Sequence, residues 1–162
     1  MSTQRSVLKD GHFRAIGRVA VEWAILELYL HIVIWGLLKV SQPVGHAVTA
    51  PVMSMNTKLH MVRSLANESK GLTTDARKHF MALMDCVSNL QTDRNNVVHA
   101  IWSVSSKPDA ANRSKFTGWG QVKFINEDMT ASEIEEIADN IAGLANDVLD
   151  FARDNNLNPP LS

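Results

Sequence analysis

One cysteine, Cys86, in 162 residues leaves nothing for it to pair with inside the chain. That excludes an intrachain disulfide framework and a cysteine-rich zinc site, and it fits a reducing compartment. The lone thiol is expected to pack as a small hydrophobe. Charge of one sign is also missing, since 16 Lys and Arg stand against 17 Asp and Glu, a formal net charge of -1. A chain so balanced has no global attraction for nucleic acid or membrane, so any anion site has to be a local patch. A long uninterrupted apolar run is lacking as well. The most membrane-like stretch, Val19 to Val40, is broken by Glu22, Glu27 and His31. Its clean piece, Ile32 to Leu38, falls well short of the roughly 20 residues a span requires. Met1 to Asp10 contains no continuous apolar segment of the kind a secretory signal needs. No internal repeat or low-complexity tract is present. These absences set the expectation of a cytoplasmic protein without a membrane partner.

What is present is apolar periodicity. At 162 residues and 45% hydrophobic content, one packed domain spanning 1–162 is the expectation. Ile16, Val19, Trp23, Leu26, Leu30, Val33 and Leu37 recur at spacings of three and four, which predicts a helix from about His12 to Lys39. Ala24, Leu28, Ile32 and Trp35 form a second stripe beside it, so this helix needs two neighbours, one of which can be a second subunit. Ser41-Gln42-Pro43-Val44-Gly45 reads as a stop. A second helix is predicted over Val52 to Ala66, with Met55, Leu59, Val62 and Leu65/Ala66 inside and Lys58 and Arg63 outside. A third, capped by Thr73 or Thr74, carries Phe80, Leu83, Met84, Val87 and Leu90. Short β-prone runs at 101–105 and 122–125, separated by Pro108, Asn112, Gly118 and Gly120, predict a β-hairpin or irregular insertion at about 102–128. Thr130-Ala131-Ser132-Glu133 has the form of a capping box opening a last helix with Ile134, Ile137, Ile141, Leu144, Val148 and Phe151 inside. The expected fold is all-α, a four-helix up-and-down bundle with that insertion between its third and fourth helices.

The run Arg94-Asn95-Asn96-Val97-Val98-His99, near the end of the third helix, carries the chemistry. A guanidinium is permanently charged and can hold two phosphate oxygens, while an imidazole gives or takes a proton near neutral pH. Cleaving RNA without a metal needs both: a base for the ribose 2′-hydroxyl proton and a cation for charge growing on the phosphate. Asn95 adds a neutral donor and acceptor that can orient either. Helical geometry opposes the pair, because positions five apart lie about 140° from each other. Asn95 and His99, four apart, share a face. Convergence of Arg94 on His99 therefore requires a distorted helix end, the reach of the arginine, or a second copy across a two-fold axis.

This run resembles the R-x4-6-H motif of the HEPN superfamily, in which a polar residue commonly follows the arginine. The flanking helices, and Trp23 to Leu28 (WAILEL), are similar to the corresponding parts of bacterial members. The resemblance implies a dimerising helical bundle and metal-independent endoribonuclease activity with no cofactor, in which Arg94, Asn95 and His99 are catalytic. It further implies RNA as substrate, a homodimer as the working form and, for members that are toxins or antiphage effectors, an antitoxin protein as partner. Other members are non-catalytic binders of RNA, nucleotide or protein. Ile101 stands where one toxin subgroup has tyrosine, so regulation through that tyrosine is not expected, and Ala100 replaces a common glycine.

Plainer explanations compete with each of these. The competing explanation makes Arg94 a solvated arginine and His99 a core histidine, and the chain a purely structural dimerisation bundle. Glu22 and Glu27 are expected in structural ion pairs; the alternative is Glu27 holding Arg94. His12, His31, His46, His60 and His79 form no HExxH or H-x3-H pair, so no metal is expected. Lys107, Arg113, Lys115 and Lys123, interleaved with Phe116, Trp119 and Phe124, suit either a packed hairpin with solvated cations or a surface that grips RNA.

Overall fold

The computed structural model describes residues 8–52, 54–118 and 122–159, with 116–118 and 122–125 described by their backbone. The elements in chain order are α1 (Asp10–Leu38), α2 (Gln42–Thr49), α3 (Met55–Glu68), α4 (Thr74–Val98), β1 (Ile101–Val104), β2 (Ala110–Gly118), β3 (Val122–Thr130) and α5 (Ala131–Asp154). The fold is mostly helical with a small β insertion. That insertion is a three-stranded antiparallel sheet, ordered β1-β2-β3, in place of the expected hairpin. The contacts divide the chain into two compact units, Met1–Trp23 with Gln91–Ile141 and Ala24–Leu90 with Ala142–Ser162.

In the first unit the start of α1 buries Ala15, Val19 and Trp23, α5 buries Ile134, Ala138 and Ile141, and Val97 and Ala111 are buried with them. The sheet is tied to this core by polar contacts. His12 on α1 donates from Nε2 to the Met129 carbonyl at 3.3 Å, and Lys9 pairs with Asp109 in the turn between β1 and β2. Passage from β3 into α5 is closed by the capping box: the Thr130 backbone N–H reaches Glu133 Oε2 at 2.7 Å, and the Glu133 N–H reaches Thr130 Oγ1 at 3.3 Å. Those hydrogen bonds hold the Glu133 carboxyl below the usual carboxylate range.

The second unit departs from what its local sequence signals predict. Pro43 and Gly45 do not stop α1. The helix ends instead with Lys39 at φ 55°, where the Val40 N–H bonds the Trp35 carbonyl and the Lys39 N–H bonds the Gly36 carbonyl, a Schellman closure without glycine. Pro43 then lies in the first turn of α2, where a missing N–H is harmless. Gly45 lies within that helix at a position where a Cβ would sit 2.3 Å from Cγ of Trp35, so glycine is the residue that fits there. The buried Trp35 indole donates to Thr49 Oγ1, so α2 is the neighbour that covers this part of the second stripe. Leu28 on the same stripe remains 47% exposed.

Lys58 and Cys86 also depart from the expected placement. Lys58 is buried, its ammonium 3.7 Å from Glu27, because its long stem packs among apolar residues while the head keeps an acidic partner. Cys86 is exposed rather than packed, since it lies beside Asp85 on the outer face of α4. By length and composition α1 could cross a membrane. Three of its charged groups are engaged within the protein, Arg18 with Glu22, Glu135 and Asp139, and Glu27 with Lys58.

His31, half-buried on α1, stacks beside Trp35 with its Nε2 buried and unpartnered among the described residues. Burial holds its imidazole below the ordinary histidine value, with Lys58 and His46 adding to the effect and Glu27 opposing it. The unfolded chain then takes up this proton more readily than the folded one. The contribution to stability is complete above about pH 6.5, the unfolded value, and is lost as pH falls below it toward the lower folded value. Thermal unfolding at pH 7.5 and 5.5 should show a smaller drop in Tm for His31→Gln than for the native chain. Equal drops would remove His31 as the cause.

Candidate active site

α4 delivers the motif in its last turn, and the way that helix ends is what shapes the site. The final regular residue is Val98, after which the His99 N–H makes one more bond to the Asn95 carbonyl at 3.2 Å. The last carbonyls of a helix lack partners along its own axis. Here the Trp102 indole donates to the Val97 carbonyl at 3.2 Å, folding β1 back beside the helix end.

At this end Arg94 reaches His99. Its Nη1 lies 2.8 Å from His99 Nε2 and donates to Asn95 Oδ1 at 2.9 Å. The contact forms within one chain, so of the routes considered from helical geometry, the reach of the long side chain at the helix terminus brings the pair together. A guanidinium can only donate, which makes Nε2 of His99 the acceptor and places the ring proton on Nδ1. Asn95 engages Arg94 through its side chain and His99 through its backbone carbonyl, so it orients the arginine more directly than the histidine.

Trp23 is the contributor that spacing did not assign. The Arg94 Cζ stands 5.9 Å from the centroid of the Trp23 ring, and Trp23 is only 4% exposed. A cation over an indole face gains electrostatic attraction, more so when shielded from water. Arg94 Nε is buried with no hydrogen-bond partner, and no carboxylate among the described residues lies within ion-pair distance. The guanidinium is therefore held by a ring face, an amide oxygen and an imidazole nitrogen, with no carboxylate among the described residues to neutralise it. His99 is exposed.

The remaining motif residue, Asn96, accepts from Lys115 Nζ on β2 at 2.9 Å. Glu27 pairs with Lys58, which fulfils its structural reading. Trp102 packs at the helix end as described. Of the interleaved basic and aromatic set, Trp119 and the side chains of Phe116, Lys123 and Phe124 lie outside the described residues.

Among the described residues no three His, Cys, Asp or Glu side chains converge as metal ligands would. A cavity of about 340 Å3 belongs to the second unit, lined by Gly36, Lys39, Ser69, Asn155 and Asn156 among others, and holds none of the motif residues. The Arg94–His99 contact instead stands at the surface. In comparisons with protein-family models, curated proteins and solved structures, nothing matches this chain.

Proposed function

We propose that this protein is a HEPN-like, metal-independent endoribonuclease whose working residues are Arg94, Asn95 and His99, carried on the helical bundle that the resemblance implies. The observation that supports this reading is the 2.8 Å approach of Arg94 Nη1 to His99 Nε2, a phosphate-binding cation placed directly on a candidate base. A phosphate oxygen is a stronger acceptor for a guanidinium than a neutral imidazole is. Substrate binding would therefore turn Arg94 onto the phosphate and release the Nε2 lone pair.

His99 would then take the proton from the ribose 2′-hydroxyl as its oxygen attacks phosphorus. A 2′-oxygen–phosphorus bond forms, the bond to the 5′-oxygen breaks, and that oxygen leaves with a proton from water, whose hydroxide takes up the proton held by His99. The products are a 2′,3′-cyclic phosphate and a 5′-hydroxyl, with Arg94 stabilising the charge that builds on the phosphate. Incubating the protein with RNA in excess EDTA should yield cyclic phosphate ends. Intact RNA would sink the catalytic reading.

A phosphate clamp without turnover is the second reading, and the same bond favours it, because an Nε2 lone pair occupied by the Arg94 donor is not free to take a proton from a hydroxyl. Binding without cleavage, lost in Arg94→Ala, would select it. We also propose that the working form is a homodimer. Phe13 and Val21 are 51% and 60% exposed on the part of α1 that belongs to the first unit and, eight positions apart, fall on one side of it. Light scattering at the monomer mass across a wide concentration range would refute it.

A further inference from the structure

The three described basic side chains of the β insertion have different fates. Arg113 is paired with Glu127 on the neighbouring strand, and Lys107 lies 3.5 Å from Asp128. Lys115 has no carboxylate within ion-pair distance among the described residues; its Nζ donates to the Asn96 amide oxygen instead. Two of these cations are thus neutralised locally, while the third keeps its full charge.

The placement of that third cation follows from the strand register. Ile101 on β1 stands opposite Ser114 on β2 in an antiparallel pair, so Lys115 sits one step further toward the end of α4, beside residue 100. Asn96, which its ammonium touches, lies three residues before His99 and hence on the same side of the helix. Arg94 thus reaches the exposed histidine directly, while Lys115, from a different element, holds the residue three positions before it, and neither cation has a carboxylate within ion-pair distance among the described residues.

We infer that Lys115 is a second phosphate-binding residue, which holds a backbone phosphate next to the one at Arg94 and thereby sets how a single RNA strand lies across the site. This rests on the proposed action on RNA. Lys115 contacts a phosphate that does not react, so it contributes to strand binding and register and not to the chemical step. The neutral Asn96 is a suitable resting partner, since an anionic phosphate displaces it readily.

Each phosphate contact to a single strand contributes about 0.7 to the slope of log affinity against log salt. A short single-stranded 2′-O-methyl RNA, whose attacking hydroxyl is blocked, is the probe, titrated from 50 to 200 mM salt against native protein, Lys115→Gln and Lys115→Arg. Lys115→Gln should bind more weakly at low salt with a slope shallower by about 0.7, and Lys115→Arg should restore it. A role confined to tying β2 to α4 would leave the slope unchanged, and an unchanged slope overturns the inference. Cleavage of unmodified RNA in EDTA is measured alongside. Cleavage with an unchanged slope rejects Lys115 and keeps the ribonuclease reading, whereas a reduced slope without cleavage does the reverse. Native protein that neither binds nor cleaves rejects both.

Discussion

Replacing His99 with alanine should reduce RNA cleavage in EDTA by about 10²–10⁴-fold, the usual contribution of a positioned acid–base group, with no loss of thermal stability. The histidine is exposed, and its side chain makes one hydrogen bond, to Arg94. Its removal takes nothing from the core. Arg94→Ala should lower the rate by about 10²–10³-fold, the cost of deleting one donor to developing charge. It differs in a second respect, because it also uncovers the Trp23 face on which the guanidinium lies. Arg94→Ala should therefore lose stability as well as rate. Arg94→Lys separates the two effects, since an ammonium keeps the charge but cannot bond a phosphate, Asn95 and the ring face together. A His99→Ala protein that cleaves at the native rate would overturn the assignment, and the products should be checked for cyclic phosphate ends so that a contaminating nuclease is recognised.

The second large effect is expected far from this chemistry, at Gly36. A Cβ there would lie 1.8 Å from the Leu157 carbonyl oxygen and 2.4 Å from its carbon. These are backbone atoms, so no rotamer change relieves the clash. The opposing segment is itself anchored: Asn156 is at φ 53°, and the Leu157 N–H bonds the Ala152 carbonyl at 2.8 Å, closing the end of α5. Gly36→Ala should destabilise the protein by about 3 kcal/mol, the upper part of the overpacking range. For a chain of this size that is a fall in Tm of roughly 6–12 °C by thermal unfolding. Gly143→Ala is the matched control, because nothing lies within 4 Å of the added methyl in mid-helix. It should be neutral or stabilising by up to about 1 kcal/mol, the helix-propensity difference alone. Equal losses for both would show that the Leu157 contact does not govern packing there.

Much of the helical framework was legible because burial along a single helix follows its period. Val19, Trp23, Leu26, Leu30 and Val33 were placed inside from spacing, and all are buried. Caps were equally readable: Thr73 Oγ1 accepts from the Ala76 N–H, and Thr130 with Glu133 closes the start of α5. α2 was not legible, since Pro43 and Gly45 are helix breakers in general and acceptable here for reasons outside their own segment. One uses a first-turn position and the other yields space to Trp35. Lys58 was placed outside for a similar reason, because its partner Glu27 is 31 residues away in the sequence.

The same division runs through the candidate site. Residue types and order alone determined that Arg94, Asn95 and His99 could do phosphate chemistry, since guanidinium, amide and imidazole carry those capacities wherever they stand. They could not determine whether Arg94 and His99 meet, because an ideal helix turns them about 140° apart. Tertiary structure decided that: α4 ends at Val98 with β1 folded back on it, and Trp23, from a helix 71 residues earlier in the chain, gives the guanidinium a face to lie on. It also decided which cations of the sheet keep their charge, because strand register places Glu127 against Arg113 and sets Lys115 beside Asn96. Chemical capacity belongs to single residues and their neighbours in sequence. Proximity and charge balance arise from contacts between distant segments, and only the folded chain contains them.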